Sequence, residues 1–513
     1  MTEVGVPRAF PAGLTSADAY PHPVSGIRLI ETHISWVFLT GTYAYKIKKP
    51  VDFGFLDFST LDRRRRCCEE EIRLNRRLAP EIYLAVCPIT GSPHTPRVDG
   101  DGPPFEYAVK MRQFAEGSLL TDMAGANTLI PDHIDALARL IAEFHGSIPR
   151  SGSADDYGSL SRIRGATMDN FAHIEAVLPP NQMDTGIAVL KATAERDHET
   201  LEGVFLSRKH EGYVRECHGD LHLANIALIG GKPVPFDAIE FNPALRWIDV
   251  ISELAFLAMD LEARGLRRLA ARLVNGYLAV TGDYGGMALW HYYLRYRAMV
   301  RAKIAVLSWQ SAAQEAARTE HLASFRRYVD YALSVSPSRR PRLIVMHGVS
   351  GSGKTHVAAQ IAEREGAIMI RSDVERKRLA SHLHADPAQM YLPAFTRATY
   401  DKLLELATPS LRARLSVVLD ATFLERRYRD DARQLADRSG AAFTIVAMEA
   451  PEAVLRQRIL ARQRAGADPS DADLGVLEKQ LQSRLPLGED EVPFTVACGP
   501  DSAVPELPAP TPP

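Results

Sequence analysis

The segment Gly348–Thr355 reads GVSGSGKT and directly follows the apolar run LIVM and His347. Its G-x-x-x-x-G-K-[ST] spacing is that of a phosphate-binding loop, and it constrains the chain more than any other feature. Gly348, Ser350, Gly351, Ser352 and Gly353 are small enough for successive backbone N–H groups to turn inward around a phosphate. The N-terminus of the helix that follows adds partial positive charge. Lys354 is then placed to reach the β- and γ-phosphates of a nucleotide such as ATP, and the Thr355 hydroxyl to ligate Mg²⁺. From LIVMHG onward strands and helices alternate, which predicts a parallel α/β domain.

Downstream residues extend this site. The apolar strand AIMI runs into RSDVERKRL, placing Arg371 and Asp373 at the strand edge where open α/β sheets bind ligands. A carboxylate there can orient or deprotonate an acceptor hydroxyl, and an arginine can hold an anionic group. Asp373 also suits the N-cap of the next helix, as does Ser372. The strand SVVLD ends at Asp420, the position of a Walker-B-like magnesium partner. In PEAVLRQRILARQRAGADPSDAD, Arg458 and Arg462 stand four residues apart on one helix face. They suit a lid over phosphates, and equally a solvated face.

A second constellation lies far upstream. HGDLHLANI, beginning at His218, sets Asp220 five residues before Asn225, the catalytic-loop spacing H-x-D-x-x-x-x-N. Asp220 can take the proton of an attacking hydroxyl while Asn225 ligates Mg²⁺. Asp237, in PVPFDAIEF, follows an apolar strand and would supply a second metal carboxylate. Such a site also needs a cation on the phosphates, held by an acid on a helix. GTYAYKIKKP offers Lys46 and Lys48 on one strand face and Lys49 on the other. Lys46, in an A-x-K arrangement with Ala44, is preferred, with Lys48 as the alternative. In the helix around 61–78, Glu71 shares a face with Leu74 and Leu78, which turns it toward the core ahead of Glu69 or Glu70.

At 513 residues the chain has room for two to four domains of roughly 100–200 residues each. With 46% apolar and 24% charged residues it is an ordinary globular composition, which excludes disordered and fibrous classes for its bulk. The formal charge of −2 argues against a protein whose main task is coating nucleic acid. Five scattered cysteines with no C-x-x-C pair support neither a zinc knuckle nor a disulfide framework. No secretory leader pattern opens the sequence, and no apolar run approaches the ~20 residues of a membrane span. A soluble, cytoplasmic protein is expected. The pattern divides into an N-terminal extension (1–26), a strand-rich then helical domain (27–335), the joint SPSRRP (336–341), the phosphate-loop domain (342–498) and a Pro-rich tail expected to be disordered (499–513). WHYYLRYRAMVRAKIAVLSW reads as buried helix core with a basic outer face.

Through GVSGSGKT, IRSDVERKRL, VVLDATF and the arginine-rich segment, the C-terminal half resembles the P-loop kinases that include gluconate kinase and the polynucleotide 5′-kinases. That resemblance implies that Asp373 faces the acceptor hydroxyl. Through HGDLHLANI, the N-terminal half resembles the aminoglycoside phosphotransferase/choline kinase branch of the protein-kinase-like fold. The absence of H-R-D, D-F-G and A-P-E points to small-molecule rather than protein acceptors. One departure is the missing G-x-G-x-x-G: the first strand turn is Thr32–Ser35. In the aminoglycoside branch a serine in that turn can replace the glycine-rich cover, which implies a phosphate contact for Ser35. The fusion, with ETHISWVFLTGTYAYKIKKP and GFLDFSTL, resembles a bacterial family of bifunctional aminoglycoside phosphotransferase/ATP-binding proteins along nearly the whole chain. The expected architecture is an α+β protein-kinase-like fold followed by an α/β P-loop domain with a parallel sheet. The expected activity is ATP- and Mg²⁺-dependent phosphoryl transfer to hydroxyl groups of small molecules by two heads. A polynucleotide 5′-hydroxyl kinase using the first half to bind substrate is the less favoured reading, and an ATP-gated regulatory protein a third.

Overall fold

The computed structural model describes residues 9–499 apart from 53, 55, 153, 387–388 and 466–472, together with 504–507. The described chain separates into two compact units. The first comprises Met1–Ala136, Ser147–Arg162 and Leu206–Leu257, the second Leu137–Gly146, Ile163–Phe205 and Ala258–Pro513.

The first unit is built on a six-stranded antiparallel sheet of β1 (Arg28–Glu31), β2 (Ser35–Leu39), β3 (Tyr43–Lys48), β4 (Tyr83–Ser92), β5 (Thr95–Val98) and β6 (Glu106–Arg112), in the order β1-β2-β3-β6-β4-β5. Alternation along β3 puts Ala44, Lys46 and Lys48 on one face, opposite Leu39, Val37 and Ser35 of β2. Across that face lies the helix Leu61–Asn75, whose Thr60 hydroxyl caps the Arg63 N–H. Its buried stripe of Arg64, Cys68, Glu71, Leu74 and Asn75 recurs at helical spacing, so Glu71 points at the sheet as expected. Further along are β7 (Val214–Glu216), the hairpin β8 (Ile226–Ile229) and β9 (Lys232–Pro235), and β10 (Trp247–Asp249), which pairs with β7. The segment before β1 is no loose extension. Phe10, Leu14, Ala19 and Tyr20 are buried in one cluster with Phe38, Tyr45 and Ile47 of the sheet.

The second unit carries a five-stranded parallel sheet of β11 (Arg342–His347), β12 (Ile368–Arg371), β13 (Val417–Asp420), β14 (Ala442–Met448) and β15 (Thr495–Cys498), ordered β12-β13-β11-β14-β15. All six residues of β11 are buried, as a parallel strand covered on both faces requires. Its open edge is managed by a side chain. Asn275, on the helix Arg267–Thr281, donates to the Ala367 carbonyl at 2.9 Å and accepts from the Met369 N–H at 2.7 Å, standing in for another strand beside β12. The helix Trp290–Ser311 buries Trp290, Tyr292 and Tyr293, which accords with the buried helix core read from the sequence. Part of the expected disordered tail is bound. Val504 and Leu507 pack on the sheet core, and Arg364 donates to the carbonyls of Val504 and Pro505. No described helix is long and apolar enough to cross a membrane.

The loop that follows β13 depends on one buried cation. Arg429 donates to Glu491 through two bonds of 2.6 and 2.9 Å, and to the carbonyls of Phe423 and Leu424. Replacing it by methionine leaves Glu491 buried and unpaired, so Arg429→Met is expected to destabilise the second unit by about 3–5 kcal/mol. Urea unfolding followed by circular dichroism checks this, and a loss below ~1 kcal/mol would contradict it.

Candidate active sites

In the first unit the candidate residues converge from three elements. Lys46 of β3 donates to Glu71 at 2.9 Å and to Asp237. Both lysines of the Lys46/Lys48 alternative are engaged: Lys48 donates to the other oxygen of Glu71 at 2.7 Å and to Glu240. Burial pushes the Lys46 amine down, but the carboxylates of Asp237, Glu71 and Glu240 outweigh it and hold it protonated well above the usual lysine range. Glu71 is likewise pushed up by burial and drawn below the usual range by the two lysines. Glu240, with a smaller share of cation, ends raised by its burial.

The remaining candidates lie on the loop His218–Asn225 and just after the β8–β9 hairpin. Gly219 is in the left-handed region at φ 90°, and a Cβ there would lie 2.9 Å from the Leu245 carbonyl oxygen. Its N–H donates to Glu253 at 2.7 Å. His218 faces the Phe236 carbonyl at 2.9 Å, burial lowering its proton affinity. These contacts set the loop against the strand that delivers Asp237. Asn225 donates its amide N–H to the Asp220 carboxylate at 3.1 Å and to the Asp220 carbonyl at 3.0 Å, which leaves its amide oxygen as the ligating atom. His222 Nε2 lies 3.3 Å from the same Asp220 carboxylate. Asp237 has φ 65°, and its N–H donates to the buried Tyr83 hydroxyl at 3.0 Å. Together the Asn225 and Asp237 oxygens, beside an excess of carboxylates, suit a hard dication such as Mg²⁺. Ser35 opens β2 on the lysine face and is fully buried, with no hydrogen-bond partner for its hydroxyl among the described residues.

In the second unit the phosphate loop lies between β11 and the helix Lys354–Glu365. Gly351 sits at φ 83°, and a Cβ there would come 2.9 Å from the Leu455 carbonyl oxygen. Lys354 donates to the Val349 carbonyl at 2.8 Å, folded back along the loop. Burial lowers its amine to about 8. Thr355 donates to Asp420 at 2.7 Å, and Arg371 Nε stands 3.7 Å from the same carboxylate. Burial raises Asp420 above the usual carboxylate range. Asp373 falls in the first turn of the helix Ser372–Leu383, near enough to act electrostatically on both Lys354 and Asp420. A buried hydroxyl–carboxylate pair beside the loop suits Mg²⁺, and the buried Ser352 hydroxyl has no partner among the described residues. Arg458, on the helix Glu452–Ala465, donates to the Ser352 carbonyl at 3.5 Å, and Arg462 lies close enough to depress Lys354. Arg456 turns instead to Glu452 and Glu478, as a solvated face does. The loop that completes the arginine-rich segment, 466–472, lies outside the described residues.

Three neighbours were not singled out by the sequence. Glu240 and Tyr83 complete the first site, and Gln480 accepts the Ser350 N–H at 2.7 Å in the second. Glu240 carries a faint signal, the second of two acids in an otherwise apolar PVPFDAIEF, whereas Tyr83 and Gln480 carry none.

Fold and candidate sites define an α+β unit organised around a buried lysine–carboxylate cluster, joined in one chain to an α/β unit that carries a phosphate-binding loop on a parallel sheet. The family model for an AAA domain, AAA_33, matches residues 343–487. The chain is 31% identical over 458 residues to the uncharacterized protein Rv2004c of Mycobacterium tuberculosis, covering 87% of this chain and 89% of that protein. It belongs to the same family as that protein. Solved structures similar to parts of it include a gluconokinase from Sinorhizobium meliloti (28% identity, 32% of this chain and 87% of that one, TM-score 0.25). A choline/ethanolamine kinase family protein from Mesorhizobium loti is another (11% identity, 63% and 98%, TM-score 0.37).

The lowered Lys354 amine sets a pH dependence. Its protonated form is the one a polyphosphate binds, so affinity is full below the folded value of about 8 and is lost as pH rises through it. In a Lys46→Met background, binding of a fluorescent ATP analogue is expected to stay flat up to about pH 8 and then weaken by up to about tenfold per pH unit. Lys354→Met should bind weakly and without that step. A flat profile up to pH 10 would contradict the assignment.

Proposed function

We propose that the chain is an ATP-dependent phosphotransferase with two heads, each transferring the γ-phosphate of ATP to a hydroxyl group of a small molecule. The observation that supports this reading is duplication: each unit gathers a lysine, a pair of oxygen-bearing side chains suited to a metal and a further carboxylate. In the first head these are Lys46 held by Glu71, Asn225 with Asp237, and Asp220. In the second they are Lys354, Thr355 with Asp420, and Asp373.

Phosphoryl transfer asks a protein for positioning and charge neutralisation more than for covalent chemistry. When bound, Mg²⁺ supplies neutralisation of the charge that builds on the phosphate oxygens. Asp220 accepts the proton of the attacking hydroxyl, held in place by Asn225 and His222. Lys46 leaves Asp237 for the phosphates while Glu71 keeps its orientation. The unpartnered Ser35 hydroxyl gains a phosphate oxygen as its acceptor. In the second head Lys354 exchanges the Val349 carbonyl for phosphate, Asp373 positions the acceptor hydroxyl, and Arg458 and Arg462 approach from the helix over the loop. The acceptors are small alcohols rather than nucleic-acid ends, in keeping with the overall charge of −2.

Transfer of labelled γ-phosphate from ATP into a small-metabolite extract tests the proposal. Lys354→Ala and Asp220→Ala are each expected to abolish a different product, by about a hundredfold or more. If Asp220→Ala changes nothing while Lys354→Ala removes all transfer, the first head is a binding module. If no metabolite is labelled but a 5′-hydroxyl oligonucleotide is, the polynucleotide reading replaces this one.

A further inference from the structure

Lys46 and Glu71 form the pair that any site of this kind requires, but the structure does not stop there. Glu71 spreads its two oxygens over two lysines, Lys46 at 2.9 Å and Lys48 at 2.7 Å. Lys46 continues to Asp237 and Lys48 to Glu240. Asp237 and Glu240 are three residues apart on one loop, so the contacts close into a ring: Asp237, Lys46, Glu71, Lys48, Glu240 and back along the backbone. The Lys48 and Glu71 side chains have no exposure and Glu240 only 4%, whereas Asp237 is 41% exposed and Lys46 12%. The ring therefore has a closed end, shut off from solvent, and an open end, which meets it. Lys48 also lies over the Phe58 ring, 5.0 Å from its centroid, a further contact on the amine.

Within the ring three acids face two lysines. That arrangement is one cation short, and the missing charge belongs at the open end, on Asp237. When Lys46 turns to a phosphate, Asp237 loses its ionic partner in the ring, and the one ion-pair link left between the loop and the Glu71 carboxylate runs through Glu240 and Lys48, beside the backbone link from the Ala238 N–H through Asn75 to the Glu71 carbonyl. We propose that Lys48 and Glu240 are positioning residues that hold the Asp237 loop in register with Glu71, so that a divalent cation meets an already placed carboxylate when nucleotide draws Lys46 away. This rests on the reading of the first head as an ATP site. Neither residue touches nucleotide; both act through Asp237 and Glu71.

The test uses the full chain in a Lys354→Ala background, which silences the second head, and measures binding of a fluorescent ATP analogue with and without Mg²⁺. Groups that orient a metal ligand typically alter metal affinity by about 10- to 100-fold when removed. Glu240→Gln and Lys48→Met are each expected to raise the Mg²⁺ concentration at half effect by about that factor, while binding of the Mg²⁺-free analogue changes by less than about threefold. Combining them should cost little more than either alone, because both break the same link. Thermal unfolding is followed in parallel. Should Lys48→Met fail to fold, Glu240→Gln, which keeps volume and a hydrogen-bonding group, together with Lys48→Arg, decides the matter. An unshifted Mg²⁺ dependence in a folded variant, or equal weakening with and without Mg²⁺, overturns the proposal. A background protein that binds no analogue at all overturns the ATP-site reading and this inference with it.

Discussion

Glu71 is a carboxylate with no solvent contact, and burying one is tolerable only if cations take over what water supplied. Two lysines do so, both from one strand and both on one face, because residues 46 and 48 are separated by the period of a β-strand. This single requirement arranges much of the first unit. It forces the helix Leu61–Asn75 to lie across β3 and to present the stripe that carries Glu71. It also places the loop after β9 where Asp237 and Glu240 can balance the lysines. Breaking a buried network at one member leaves the others uncompensated, so its geometry is shared rather than assigned to any one pair.

The second unit meets the same electrostatic problem with the opposite solution. Lys354 is buried beside a loop of backbone amides, bonds a carbonyl at 2.8 Å and has its proton affinity lowered by burial. Asp420, equally buried, is raised by the same cause. Each charge thus lies in a place that favours its neutral form, and a bound polyphosphate with its metal would restore both. The first head keeps its charges by pairing them among themselves, whereas the second leaves them to be completed by the ligand. The loop itself stays open because Gly351 lets the backbone pass against the helix Glu452–Ala465 where a side chain would strike it.

Motifs with fixed local spacing were the legible part of this molecule. GVSGSGKT, HGDLHLANI and the acid closing SVVLD need no knowledge of distant residues, since backbone geometry alone dictates their spacing. Glu71 was readable because a helix face has a period that separates it from Glu69 and Glu70. The choice between Lys46 and Lys48 was not, since alternation puts both on one face and the burial of two acids uses both. Glu240 follows Asp237 by three residues in a loop, where no helical or strand period applies, so its role comes only from the tertiary approach of β3. The same holds for Asn275, whose amide completes the edge of β12 from a helix 92 residues before Ala367. The packing of residues 10–20 and 504–507 was not legible for a related reason: a few apolar side chains suffice to anchor them on the sheets.

The two solutions imply two different orders of dependence between metal and nucleotide. Around the first head's cleft Asp237, Glu71, Glu240 and Asp220 outnumber Lys46 and Lys48, so an incoming polyphosphate meets net negative charge. There a metal would strengthen the approach, in addition to any later part in transfer. Around the second head's loop Lys354, Arg371, Arg458 and Arg462 outnumber Asp373 and Asp420, and inward backbone amides add to them. Phosphate is attracted there without help, and the metal's place at Thr355 and Asp420 gains its full value once the phosphates bring their own charge. On the proposed reading, joining the heads in one chain repeats one set of roles with opposite charge balance. It would combine an acid-rich site that depends on its cation with a base-rich loop that depends on its anion.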